Sequence, residues 1–147
     1  MKAKRSGLKK CLKMYLVDIN IFLEVLLLGA RKDECVNFLN LLRDGKKSGV
    51  VTDFSVHSII VIMGSRCKFD ELRVFLLSLL GYKGLHIYHT TIAGEACATE
   101  IAQRQKLDMD DAIQYSSALC VKAEAIISFD KHFNNLEILR KDPCEVE

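Results

Sequence analysis

Short apolar runs alternate with long amphipathic stretches along most of this chain. The four runs span residues 11–18, 49–54, 84–90 and 123–130, and each has the length and composition of a buried β-strand. The stretches between them carry apolar residues at helical spacing. Strands that alternate with helices pair in parallel through right-handed crossovers. The sequence therefore predicts an α/β fold of three α/β/α layers around a central, mostly parallel sheet of four to five strands, with residues 136–140 as an edge strand.

The length and charge of the chain favour one compact domain preceded by a basic arm. A chain of 147 residues, half of them hydrophobic, is large enough to bury a single core. Residues 1–12 are basic and contain no acid, and we assign the domain to residues 13–147. A basic arm can contact nucleic acid phosphates, although a solvated terminus has the same composition.

The sequence predicts neither a membrane span nor a zinc site. Apolar stretches such as 21–28 and 74–80 are interrupted by Glu24 or Ser78, and they fall short of the roughly 20 residues that span a bilayer. The six cysteines have no C-x-x-C spacing and lie mostly among apolar neighbours, as in proteins of a reducing compartment. We therefore expect a cytoplasmic protein.

Acidic residues follow several of the predicted strands. Asp18 ends the first strand, Asp53 the second and Asp130 the fourth, while Asp110 and Asp111 start the helix that leads into the fourth strand. Parallel strands bring their carboxyl ends to one edge of a sheet, where ligands gather. Clustered carboxylates repel one another unless a cation lies among them, and hard oxygen ligands suit Mg²⁺ or Mn²⁺. The pattern predicts a divalent metal site.

Helix capping offers another interpretation for some of these acids. The stretch "LDMDDAIQYSSA" at 107–118 places three carboxylates in four positions, and Asp108 is the one best placed to cap the following turn. Asp53 is expected to cap the helix that follows it, and Glu24 to lie on the exposed edge of an amphipathic helix. Asp18 has no such explanation, because an acid between an apolar strand and an apolar helix gains little from solvation.

Three segments, taken in order, resemble the PIN domain family, named after the PilT N-terminus, which has many prokaryotic toxins of the VapC type. The segments are "LVDINIFLE" at 16–24, "LDMDDAIQYSSAL" at 107–119 and "IISFDKHF" at 126–133. The resemblance runs from about Lys13 to Leu139. It implies a PIN-like fold and hydrolysis of RNA with one or two divalent ions.

The resemblance also implies a role for each matching residue. Asp18, Asp111 and Asp130 would be catalytic and would bind Mg²⁺ or Mn²⁺, and Asp110 is an additional candidate ligand. Asn20 and Ser128 would not bind the metal themselves but would orient waters or a metal ligand. The substrate-binding residues are not identified by these motifs.

One acid of the family pattern is absent. In family members a glutamate falls about six residues after the end of the second strand, and that count reaches Ser58, beside His57. Either side chain could border the site, and Asp110, Asp53 or Glu24 could replace the missing carboxylate. The leading hypothesis is a divalent-metal-dependent endoribonuclease, and the alternative is a degenerate module that binds RNA or protein without hydrolysing it.

The resemblance further implies partners. VapC-type toxins are usually held inactive by an antitoxin, so such a protein is expected as a partner in addition to RNA. The apolar helix "DELRVFLLSLL" favours a homodimer if it buries a stripe against a second copy, and it could equally belong to the core. A phosphotransfer enzyme of the haloacid-dehalogenase type is a third hypothesis, suggested by "VDIN" but lacking that family's D-x-D.

Overall fold

Five parallel strands form the centre of the structure. The computed structural model describes residues 12–146, so all of the predicted basic arm except Leu12 lies outside the described residues. The strands are β1 (Met14–Val17), β2 (Ser48–Thr52), β3 (Leu85–Tyr88), β4 (Ala125–Ile127) and β5 (Leu139–Lys141). They lie in the order β3, β2, β1, β4, β5, and each neighbouring pair is parallel. The predicted parallel sheet is confirmed.

Pairs of helices connect the first four strands. The helices are α1 (Ile19–Leu26), α2 (Lys32–Arg43), α3 (Asp53–Ser65), α4 (Phe69–Leu79), α5 (Ile92–Gln105) and α6 (Met109–Cys120). Two short 3₁₀ turns, Lys131–Phe133 and Pro143–Glu145, flank β5. None of the helices within residues 12–146 has the length and apolar character needed to cross a membrane.

Successive strand residues point to opposite sides of the sheet and build the two outer layers. On one side, Tyr15, Val17 and Val51 join a buried cluster with helices α1 to α4. On the other side, Leu16 and Val50 pack with residues of α6 and of the segment around β5. This alternation follows from the two-residue period of a strand. It confirms the predicted three-layer α/β/α architecture.

The sheet extends in both directions from β1. Strands β2 and β3 lie on one side of it and β4 and β5 on the other, so Leu16 pairs with both Val50 and Ile126. Open α/β sheets bind ligands where the strand order reverses, outside the carboxyl ends of the strands. Here that position is occupied by Asp18 and Ser128, which directly follow β1 and β4. The Asp18 amide continues the pairing by donating to the Ile127 carbonyl over 3.0 Å.

Each strand is shorter than the apolar run that predicted it, and two of the changed boundaries alter the role of a residue. Thr52, rather than Asp53, caps α3, because the Thr52 hydroxyl accepts the Ser55 amide over 2.9 Å. Asp53 is therefore the first residue of the helix. The last strand begins at Leu139 instead of residue 136, and the Glu137 amide donates to the Tyr115 hydroxyl over 3.2 Å rather than to a neighbouring strand.

Replacement of Gly84 by alanine is expected to destabilise the protein by more than about 2 kcal/mol. The Gly84 amide donates to the Leu42 carbonyl over 2.8 Å, and its carbonyl accepts the Gly49 amide over 2.7 Å. A Cβ at this position would overlap the carbonyl oxygen of Lys47. Gly64→Ala is the control, because a Cβ there meets nothing within 4 Å and alanine favours a helix by up to about 1 kcal/mol. Urea unfolding compares the two, and equal unfolding free energies would contradict the expectation.

Candidate metal centre

Asp18 lies at the end of β1 and is almost completely buried, at 1% exposure. Its Oδ2 accepts the Ser128 hydroxyl over 2.6 Å and the Asn20 side-chain amide over 3.3 Å. Its Oδ1 is buried and has no hydrogen-bond partner among residues 12–146. One carboxylate oxygen is thus held in place, and the other has no donor within the described part of the chain.

Asp111 enters the site from the first turn of α6. Asp108 is the N-cap of this helix, because its carboxylate accepts the Asp111 amide over 2.9 Å. Asp111 itself is 6% exposed, and its Oδ2 is buried without a hydrogen-bond partner. Asp110, between them, is exposed. The three crowded carboxylates therefore occupy three different environments, and only Asp111 is buried.

Asp130 reaches the same edge of the sheet after β4. The Asp130 amide donates to the Ser128 hydroxyl over 2.9 Å, and that hydroxyl in turn donates to Asp18. Asp130 Oδ1 accepts the His132 amide over 2.8 Å, which caps the 3₁₀ turn. Ser128 is fully buried and so links the acids that follow β1 and β4.

The electrostatic environment of the buried acids disfavours their charged forms. Burial is the main cause of the raised pKa of Asp18, and the hydrogen bond from Ser128 offsets part of this effect. The pKa of Asp111 rises to about 6, first because of burial and then because of the charges on Asp108, Asp130 and Asp18. A cation among these carboxylates would reverse the repulsion.

The donor atoms fit a divalent cation. Asp18 Oδ1, Asp111 Oδ2 and Gln114 Oε1 are all buried oxygens, and none of them has a hydrogen-bond donor in the described part of the chain. Buried acceptors of this kind are rare unless a water or an ion meets them. One ligand atom each from Asp111, Asp130 and His132 lies within 4.8 Å of the others. The oxygen-rich set is of the type that holds Mg²⁺ or Mn²⁺.

Two residues of this site did not emerge from the sequence motifs. Gln114 is 2% exposed, and its proximity lowers the pKa of Asp18. It follows Asp111 by three positions, so helical spacing alone places both on one face. His132 Nδ1 lies 3.4 Å from Asp111 Oδ2 and 3.3 Å from Asp130 Oδ1. No periodicity signals His132, because it follows Asp130 in a short turn.

The other acids considered from the sequence form contacts of their own. Asp53 Oδ1 accepts the amide and the hydroxyl of Thr90 over 3.0 Å each, which joins the start of α3 to the end of β3. Glu24 Oε1 accepts the Arg31 amide over 2.7 Å and so closes the turn between α1 and α2. Glu24 is therefore half-buried rather than on the exposed edge of its helix.

The position of the missing acid lies on α3. Ser58 is half-buried there, and His57 is exposed. That these two residues border the site remains a prediction. The carboxylates of Asp53 and Glu24, two of the suggested replacements, are already bound to backbone amides.

Replacement of Asp111 by asparagine is expected to stabilise the metal-free protein at pH 7.5 by about 1 kcal/mol. The raised pKa means that the folded state binds a proton that the unfolded state lacks between about pH 4 and 6. The stability contributed by this proton is complete below pH 4 and is lost as the pH rises through 6. The asparagine side chain carries no charge and avoids that loss.

Urea unfolding in EDTA at pH 4 and pH 7.5 measures this effect. The variant and the wild type should be similar at pH 4 and should diverge at pH 7.5. Asp33→Asn in the first turn of α2, an exposed acid, is the control and should not show the divergence. A variant less stable than the wild type at pH 7.5 would contradict the assigned repulsion.

Comparison with known proteins shows the fold to be shared. No family model and no curated protein matches the chain. Among solved structures, VapC20 of Mycobacterium tuberculosis, described as a sarcin-ricin loop cleaving toxin, superposes with a TM-score of 0.70 at 16% identity, over 85% of this chain and 96% of VapC20.

Two complexes show the same likeness. A toxin-antitoxin complex from Klebsiella pneumoniae matches with a TM-score of 0.66 at 18% identity, over 88% of this chain and 97% of that chain. VapBC2 from Rickettsia felis, bound to a DNA fragment from its promoter, matches with a TM-score of 0.64 at 14% identity, over 88% of this chain and 98% of that one. The chain therefore has the PIN-like α/β/α fold of its VapC neighbours.

Proposed function

We propose that this protein is a divalent-metal-dependent endoribonuclease that acts as the toxin of a toxin-antitoxin pair. The observation that carries this proposal is an acidic group beside the carboxyl ends of β1 and β4, in which ligand atoms of Asp111 and Asp130 lie within 4.8 Å of each other and the Ser128 hydroxyl joins Asp130 to Asp18. Two of these acids present buried oxygens without donors. The fold shared with VapC20, a toxin described as cleaving the sarcin-ricin loop, adds support.

In this mechanism Asp18, Asp111 and Asp130 would hold Mg²⁺ or Mn²⁺. Such an ion, when bound, would lower the pKa of a coordinated water and offset negative charge on the phosphate oxygens. The protein contributes the orientation of its ligands. Ser128 and Asn20 donate to Oδ2 of Asp18, so Oδ1 would be available to the ion. No side-chain nucleophile is required, because water would supply the oxygen that bonds to phosphorus while the P–O bond to the leaving nucleotide breaks and that leaving oxygen takes up a proton.

We assign a groove beside Asp130 to the RNA. It has a volume of about 460 Å³, its polar lining residues are Asn20, Glu24 and Asp130, and its apolar lining includes Leu23, Leu27 and Phe129. Lys131 is exposed next to Asp130 and supplies a positive charge at this edge. A polyanion approaches the acids only if a bound cation and such lysines change the sign of the local potential.

A degenerate module that binds RNA or protein without hydrolysing it is the second candidate function. The observation that favours it is Ser58, where the family pattern has a glutamate. Fewer charged ligands weaken a site for Mg²⁺ or Mn²⁺. The two candidates differ in a measurable property, because only the enzyme turns over RNA.

We also propose that a protein partner binds a separate apolar groove. The groove lies between α1, α2 and α4, has a volume of about 490 Å³ and is lined by residues that include Val25, Leu28 and Val74. Leu28 and Val74 are 73% and 69% exposed. Asp70 and Glu71 also line it and favour basic residues on the partner. The two neighbours solved as toxin-antitoxin complexes support an antitoxin as the partner, and a second copy of this chain is the competing occupant.

Cleavage of RNA is expected to require both the metal and Asp111. A mixed panel of single-stranded and structured RNAs is incubated with Mg²⁺, with Mn²⁺ and with EDTA. We expect Asp111→Asn to lower the rate by about 100-fold or more, because a direct metal ligand is lost. Asp108→Asn is the matched control, because asparagine also caps helices well and the variant should retain most of the activity.

Each outcome of this assay decides between the candidates. Metal-dependent cleavage that disappears in Asp111→Asn supports the enzyme and guards against a contaminating nuclease. Absence of cleavage by the folded wild-type protein on the whole panel favours the binding module. Equal activity of the two variants would refute the division of roles between Asp108 and Asp111.

Replacement of Val74 by aspartate is expected to prevent partner binding without affecting RNA cleavage. The substitution removes apolar surface that the partner would bury, and it places an unpaired carboxylate in the interface. Val61→Asp on α3 is the matched control, because Val61 is 70% exposed and lies outside the groove. Co-purification from cells that produce each variant reports on an antitoxin, and sedimentation velocity of the pure proteins reports on a homodimer. Unchanged association of Val74→Asp in both measurements would contradict the assigned groove.

A further inference from the structure

His132 faces two of the three acids of the candidate metal centre. Its Nδ1 lies 3.4 Å from Asp111 Oδ2 and 3.3 Å from Asp130 Oδ1. Atoms bound to one ion at roughly 2.0–2.2 Å lie about 3 to 3.5 Å apart, so these separations suit a shared ligand set. The nitrogen thus lies at the spacing of a metal ligand from both carboxylate oxygens.

The local structure holds the histidine at this position. The His132 amide donates to Asp130 Oδ1 over 2.8 Å, and Phe133, the next residue, is fully buried. These contacts fix the backbone of the 3₁₀ turn on both sides of the ring. The side chain itself is 70% exposed, so an ion can reach Nδ1 from solvent without displacing the core.

The atom opposite the imidazole also points to a ligand. Asp111 Oδ2 is buried, and the contact with His132 does not satisfy it as a hydrogen bond. Two carboxylate oxygens and one ring nitrogen thus lie close together, and a cation among them could accept a lone pair from each. Capping of the 3₁₀ turn accounts for the proximity of Asp130 to His132, but Asp111 comes from α6, so capping does not account for its place beside the ring.

We infer that His132 is a direct metal ligand and that it makes this centre select Mn²⁺ over Mg²⁺. The inference rests on the proposed metal site and specifies the ion that it takes. Mg²⁺ prefers a shell of oxygens and waters, whereas imidazole nitrogen binds first-row transition ions better. His132 would also add one neutral nitrogen ligand to a site that lacks the acid that the family pattern has at the position of Ser58.

Metal binding to the intact protein tests the inference without any assay of activity. Mn²⁺ affinity is measured at pH 7.5 from the electron paramagnetic resonance signal of free Mn²⁺, and Mg²⁺ affinity by competition. We expect His132→Ala to weaken Mn²⁺ binding by about tenfold or more and to change Mg²⁺ binding by less than about twofold. Bound Mn²⁺ should show coupling to a ¹⁴N nucleus in the wild type, and this coupling should be lost in the variant.

His89→Ala is the matched control. His89 Nδ1 also lies 3.3 Å from a carboxylate oxygen, Asp53 Oδ2, and the ring is 79% exposed, yet it belongs to a different cluster. Its removal should change neither affinity. Circular dichroism of each variant confirms that the fold is retained.

The outcomes separate this inference from the proposed function. Asp111→Asn should lose both ions, and a variant that still binds them as tightly as the wild type would overturn the metal site itself. If Asp111→Asn loses binding while His132→Ala keeps wild-type Mn²⁺ affinity, or if bound Mn²⁺ shows no nitrogen coupling, the site stands and the role of His132 is refuted. His132 would then be an ion-pair partner of the acids and no ligand.

Discussion

The fully buried hydroxyl of Ser128 is the contact on which the candidate site depends. It donates to Asp18 over 2.6 Å and accepts the Asp130 amide over 2.9 Å, so one oxygen joins the segments that follow β1 and β4. The two strands are neighbours although 110 residues separate Asp18 from Ser128. A hydrogen bond to a charged carboxylate is stronger than one between neutral groups, and it is strengthened further where water is excluded. The position of Asp18 therefore follows from the pairing of β1 with β4.

The candidate site carries a stability penalty in the absence of a cation. Burial raises the pKa of Asp18 and, with the neighbouring acids, that of Asp111, so both carboxylates are less favourable when charged. A chain selected for stability alone would place apolar or hydrogen-bonded groups at these positions. Unfavourable electrostatics of this kind is concentrated at functional sites, where a ligand supplies the missing opposite charge. The capping acid Asp108 differs, because it satisfies a backbone amide of its own helix.

Prediction from the sequence was most successful where a local pattern has one physical cause. The apolar runs gave the strands of the parallel sheet, and the cap at Asp108 followed from the rule for helix starts. The prediction for Asp53 as a cap was wrong, because Thr52 also has a capping side chain and the helix starts one position earlier than the sequence indicated. Glu24 was likewise placed on an exposed edge, whereas the turn after α1 brings the Arg31 amide back to it. Helical periodicity does not predict contacts that form when the chain turns back on itself.

The sequence by itself determined the three layers, the order of strands and helices along the chain, and which acids follow the ends of strands. These features depend on the periodicity of apolar residues and on capping chemistry, and both act over a few residues. Only the tertiary structure decided which polar groups meet: Gln114 beside Asp18, His132 between Asp111 and Asp130, and Asp53 with Thr90 away from them. Such meetings depend on the spatial order of the strands and on the path of each turn, because the exchange of two neighbouring strands would separate these side chains while leaving every local pattern unchanged.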